Sequence, residues 1–212
     1  MQIAFLIYEG LTALDIIGPY EVFNQIPGVD VRFVAKQPGP IRVDSGAFSI
    51  DTDHKLADVP RPDVFVVPGG VAGTFAAAKD QEILDWVRKA HTSSRYSTSV
   101  CTGSLILGAA GLLKDSNATT HWAAKAYLEQ TGATYTEKRV VIADKIITAA
   151  GVSAGIDMAL YVMGELVGPE LAKIAQLSIE YDPKPPFDAG SPAKAGDAIV
   201  QRALAEFAKE LS

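Results

Sequence analysis

Short apolar runs alternate along the chain with segments in which apolar residues recur every three or four positions. The runs at 3–8, 31–35, 64–67, 96–100 and 146–149 are rich in β-branched and aromatic residues. They read as strands buried on both faces, as a parallel sheet requires. Between them, Ile83, Leu84, Val87 and Ala90 share one helical face. So do Ile156, Leu160, Met163 and Val167, and later Ile199, Ala203, Leu204, Phe207 and Leu211. Pro169 suits the first turn of a helix over 170–181. Strand–helix alternation of this kind predicts an α/β fold, a mostly parallel sheet with helices on both faces. Two segments break the pattern. Residues 41–51 alternate weakly, as a small antiparallel pair does, and 139–148 read as a hairpin turning near Asp144. The Pro/Gly-rich stretch 182–192 reads as an ordered surface loop before the last helix. With no linker or repeat, residues 1–212 are expected to form one domain.

Composition narrows the class. At 48% hydrophobic, the 212 residues can bury a full core without disulfide or metal. A net charge of −6 and the lack of a basic run argue against a nucleic-acid surface. No apolar stretch reaches 18 residues, and the apolar N-terminus lacks a basic leader, so neither a membrane span nor a signal peptide is expected. One cysteine excludes an internal disulfide, and a reducing cytoplasm is the expected location.

Ligands in open α/β sheets bind beyond the carboxyl ends of the strands, and three such ends carry candidate chemistry. In Ser99-Val100-Cys101-Thr102-Gly103-Ser104 a strand meets a small-residue helix expected over 103–113. That layout is a nucleophile elbow, a sharp turn that presents its apical side chain. The helix N-terminus is expected to lower the thiol pKa. A lone cysteine is more often structural; the elbow setting favours a nucleophile. In Val67-Pro68-Gly69-Gly70, the glycines could turn backbone N–H groups toward a developing anion, or merely form a tight turn. In Leu14-Asp15-Ile16-Ile17-Gly18-Pro19, Asp15 sits among apolar residues. It either caps a helix starting near Pro19 or, with a raised pKa, handles a proton. The histidines are His54, His91 and His121, and none lies downstream of 121 to form a cysteine–histidine pair. His91 is expected on the solvent side of its helix, and His121 as a supporting residue near Cys101. No metal-ligand spacing is present.

Taken together, the acidic residue after an apolar first strand, the Pro-Gly-Gly loop and the cysteine elbow resemble the ThiJ/PfpI superfamily. Within it, Leu14-Asp15 with Gly18-Pro19, residues 98–104, 108–113, Ala118-Thr119-Thr120-His121-Trp122 and 185–192 are similar to the isonitrile hydratases. One departure is Ala149-Ala150-Gly151, where those enzymes resemble Gly-Gly-Gly, and the two methyl groups stiffen the backbone there. The resemblance implies a flavodoxin-like three-layer sandwich of the class I glutamine amidotransferase type. It implies a homodimer and a cofactor-free, metal-free lyase that hydrates an isonitrile to an N-substituted formamide. Cys101 would form a covalent thioimidate, with Asp15 as general acid and base. The N–H groups of Gly70 and Thr102 would stabilise charge, and the Thr102 hydroxyl would donate to the thiolate or to Asp15. Rival readings within the superfamily are an oxidisable-cysteine sensor, a ligand-binding domain related to regulators, and a glyoxalase-type enzyme. The last is disfavoured by Thr102 where a histidine commonly follows the cysteine. The regulators carry a further helix-turn-helix domain, for which this sequence leaves no room.

Overall fold

The computed structural model describes residues 1–209. In chain order the first half runs β1 (Gln2–Leu6), α1 (Ala13–Phe23), β2 (Asp30–Ala35), β3 (Gly39–Arg42), β4 (Ser49–Thr52), β5 (His54–Lys55), β6 (Val64–Val67), α2 (Val71–Ala77), α3 (Gln81–Ser93) and β7 (Tyr96–Val100). The second half runs α4 (Gly103–Ala109), β8 (Asn117–Ala118), α5 (Lys125–Glu129), β9 (Thr134–Tyr135), β10 (Val140–Ala143), β11 (Ile146–Ala149), α6 (Ala154–Val167), α7 (Pro169–Ser178), α8 (Pro192–Ala195) and α9 (Asp197–Lys209).

The central sheet has the order β10-β11-β7-β6-β1-β2-β5. All its pairings are parallel except that of the edge strand β10. Central strands such as β6 are buried along their whole length, which is why their sequences do not alternate. Helices α1, α6 and α7 pack together on one side, and α2, α3 and α4 on the other. The weakly alternating segment is the antiparallel pair β3–β4, with Ile41 opposite Ile50. The predicted hairpin is β10–β11, turning at Asp144 with φ +55°. No helix among the described residues is long and apolar enough to cross a membrane.

Several details differ from the sequence reading. The α1 helix starts at Ala13 rather than near Pro19, so Pro19 lies inside it and Asp15 lies in its first turn. The α4 helix stops at Ala109, short of residue 113. Gly111 takes φ +83°, and Leu112 N donates back to Leu107 O, a closing pattern that ends a helix. On α6 the fully buried face is Met158, Ala159, Val162 and Met163, while Ile156, Leu160 and Val167 are half-buried. Those three fell on an apparent face because α6 packs on both the sheet and its neighbours α1 and α7. The 182–192 loop is exposed, as expected. The α9 helix has no fully buried residue; Ala203, Leu204 and Phe207 are half-buried, and Leu211 lies outside the described residues.

The left-handed conformation at Gly111 yields a simple test. A Cβ there would meet nothing within 4 Å, so strain is the only cost of adding one. Gly111→Ala should destabilise the fold by about 1–2 kcal/mol, read from urea unfolding, and Gly111→Asn by less.

Candidate active site

The switch in strand order lies at β1, whose sheet neighbours are β2 on one side and β6 on the other. Register then brings the three candidate loops together. Val67 pairs with Ser99 and Val100 with Ala149, so the Pro68–Gly70 turn lies beside the elbow.

Cys101 is the turn itself. It adopts φ +57°, a conformation that costs a non-glycine residue about 1–3 kcal/mol. The surroundings hold it there. Its N–H donates to Ala149 O at 3.1 Å and Ala150 O at 2.9 Å. Its carbonyl accepts from Ser104 Oγ at 3.2 Å and Thr120 Oγ1 at 3.1 Å. Gly103 permits the close packing of the elbow: a Cβ at that position would sit 2.2 Å from Val67 O. Val152, whose N–H approaches the sulfur, is also left-handed at φ +35°.

Cys101 lines a cavity of about 520 Å³ and is 6% exposed. Burial pushes the thiol pKa well above its usual value, and the charge of Asp15 adds to the rise. The N–H groups of Val152 and Thr102 pull it back only in part. This corrects the expectation of a helix-activated resting thiolate: desolvation outweighs the helix N-terminus.

Asp15 is fully buried. Its Oδ2 accepts from Gly69 N–H at 2.7 Å, and its Oδ1 has no partner. Burial raises its pKa to about 7, opposed by the Gly69 hydrogen bond and reinforced by the charge of Asp44. Its bonded oxygen serves the Gly69 turn rather than its own helix, whose cap is Thr12, so the capping reading is not the one the structure has. The charge of Asp15 acts on Cys101, and no hydrogen bond joins them among the described residues.

The Gly-Gly amides are not aimed at a ligand, as the sequence allowed. Gly69 N–H is taken by Asp15, and Gly70 N–H donates to Thr102 Oγ1 at 3.1 Å. Thr102 extends a chain of hydroxyls. Its Oγ1 lies 2.8 Å from Thr74 Oγ1, which lies 3.0 Å from the Tyr8 hydroxyl, which donates to Pro68 O at 2.7 Å. Proton counting fixes the direction. Pro68 O can only accept, so Tyr8 spends its proton there and Thr74 donates to Tyr8. Toward the sulfur the Thr102 side chain bonds so as to lower the thiol pKa, which is what a hydroxyl donating to the thiolate does.

His121 lines the cavity. Its Nδ1 accepts from Ala123 N–H at 3.3 Å, which places the ring proton on Nε2, and burial lowers its pKa. It is a neutral wall, consistent with a supporting place. His91 is half-buried rather than on the solvent side, with Nδ1 2.8 Å from Ser97 Oγ near the opposite end of β7. His54 bonds Arg32, away from the site. Among the described residues no cluster of three His, Cys, Asp or Glu side chains could hold a metal. Ala149 and Ala150 act through their carbonyls, which fasten Cys101. Sequence reasoning missed Tyr8, Thr74, Thr120 and Phe207. No spacing rule links them to Cys101, and the fold alone brings them there.

Residues 1–165 match the DJ-1/PfpI family. The chain is 43% identical to an isonitrile hydratase of Pseudomonas putida over all of this chain and 92% of that one. A crystal structure of a ThiJ/PfpI family protein from Pseudomonas syringae superposes with a TM-score of 0.91 at 43% identity, covering 99% of this chain and 88% of that one. A glutathione-independent glyoxalase of Caenorhabditis elegans is 28% identical over 68% of this chain and 76% of its own.

The buried acid has a cost in stability. In the fold Asp15 keeps its proton to about pH 7, whereas its unperturbed value is 3.8. Between those values the folded state binds the extra proton, so stability falls as pH rises. Asp15→Asn removes that loss. Its Tm should exceed the unmodified protein's at pH 8 by the equivalent of about 1–3 kcal/mol, and the gain should vanish toward pH 4. Thermal unfolding across that range checks it.

Proposed function

The chain belongs to the DJ-1/PfpI family, and from that premise we propose that it is an isonitrile hydratase working through Cys101 and Asp15. The observation that carries the reading is the braced cysteine at φ +57° lining the cavity, beside a buried carboxyl with one unpartnered oxygen. The substrate class comes from the Pseudomonas putida relative, alike over the whole chain.

The starting form near neutral pH is a thiol and an ionised Asp15, since Asp15 loses its proton at about 7 and the thiol well above. Asp15 takes the thiol proton as general base. The thiolate attacks the terminal isonitrile carbon, and Asp15 returns the proton to that carbon. A C–S and a C–H bond form, giving the thioimidate R–N=CH–S–Cys101. Water then adds across the C=N bond: ionised Asp15 takes one proton from it and passes it to nitrogen, giving R–NH–CH(OH)–S–Cys101. As the C–S bond breaks, the hydroxyl proton passes through Asp15 to the departing sulfur, which releases R–NH–CHO and the thiol, so the sum is isonitrile plus water to formamide. The N–H groups of Val152 and Thr102 stabilise charge on sulfur during attack and release. Gly70 contributes by holding Thr102 in place.

Two other features of the reading are a homodimer and a reducing cytoplasm. Exposed Leu14 and Ile17 on α1, with Ile174 and Leu177 on neighbouring α7, supply an apolar face for the former. A redox sensor is less well matched, because the thiolate is the oxidisable form and burial here disfavours it.

Cys101→Ala should abolish formamide production from an alkyl or aryl isonitrile; turnover persisting in that variant would overturn the mechanism. Asp15→Asn should lower kcat about 10²–10⁴-fold. In the unmodified enzyme kcat/KM should rise through about pH 7 as Asp15 ionises, and this limb should be absent from the residual activity of Asp15→Asn.

A further inference from the structure

The geometry points to Phe207 on α9 as the specificity-determining residue that makes the pocket select flat, uncharged aromatic isonitriles; the inference rests on the hydratase reading and concerns the substituent on nitrogen. Phe207 lies beyond the stretch 1–165 matched to the family, yet it lines the same cavity as Cys101. Its ring stacks on His121, with centroids 5.9 Å apart and an interplanar angle of 11°. Trp122 follows at 5.5 Å from His121, tilted by 37°. His121 is held neutral by burial, so the stacked pair is an uncharged π surface. Val71, Val152 and Ala203 complete an apolar lining.

Charge sets the other half of the selection. Asp44 and Glu206 are the ionisable carboxylates at the cavity, and no lysine or arginine lines it among the described residues. The charge of Asp44 is felt as far as buried Asp15. Glu206 is paired with Lys209 at 2.8 Å, so Asp44 is the like charge that a carboxylate-bearing substituent would meet, and no cation among the described lining residues offers it a partner. A neutral aryl ring can lie against the Phe207–His121 surface while its isonitrile carbon reaches Cys101. A small alkyl group leaves that surface unused. Stacking of this kind is worth about two- to tenfold in binding.

The test compares the full chain with Phe207→Ala, Phe207→Leu and Phe207→Tyr. Turnover is measured on phenyl, 4-carboxyphenyl and propyl isonitriles, and binding of N-phenylformamide and N-propylformamide by calorimetry. The unmodified enzyme should favour phenyl over both others. The phenyl-to-propyl ratio of kcat/KM should fall roughly five- to tenfold in Phe207→Ala and Phe207→Leu and persist in Phe207→Tyr. Leucine keeps apolar bulk on α9, so a loss there reports the ring rather than a displaced helix. An unchanged ratio in Phe207→Leu, or a preference for propyl or carboxyphenyl, overturns the inference. Absence of turnover on every isonitrile overturns the hydratase reading alone. The formamide titrations still decide the wall: a phenyl preference lost in Phe207→Leu upholds it, and no preference overturns it.

Discussion

The left-handed turn at Cys101 is the constraint on which the site depends. A cysteine does not adopt φ +57° unaided, and four hydrogen bonds on its own peptide groups hold it there. Those partners come from three places in the chain: the end of β11, the first turn of α4, and the loop at Thr120. The parallel sheet brings them together, so the strain of one residue is balanced by the packing of the whole domain. The result is a thiol that faces a cavity while its backbone has no freedom to turn away.

The same burial governs the electrostatics. Cys101 and Asp15 both resist ionisation through burial, and the charge of Asp15 makes a thiolate harder still to hold. Near neutral pH the pair loses one proton readily and the second only with difficulty. A shared proton is useful for hydration of an isonitrile, whose carbon must gain both a nucleophile and a hydrogen. Gly69 and Gly70 amides and the Tyr8–Thr74–Thr102 hydroxyls bond to protein, whereas Asp15 Oδ1 is left without a partner.

Two parts of the chain divide the work. The sheet and its loops, within the family stretch, position Cys101 and Asp15. The last helix has no fully buried residue of its own, yet it closes one wall of the cavity with Ala203 and Phe207.

The sequence by itself determined the sheet, the elbow and its acid. Buried parallel strands must be continuously apolar, and a tight strand-to-helix turn needs small residues after Cys101. An aspartate among apolar residues likewise signals a raised pKa. Boundaries were less legible, as at Ala109 and Ala13, because capping depends on φ at single residues such as Gly111. Only the tertiary structure decided where hydrogen bonds go. It turned the glycine amides toward Asp15 and Thr102, and raised the thiol pKa that a helix N-terminus alone would lower. It also carried Phe207 onto His121, some 86 positions away in sequence. Local pattern shows that a helix has an apolar face; which surface that face covers is set by how the rest of the chain packs.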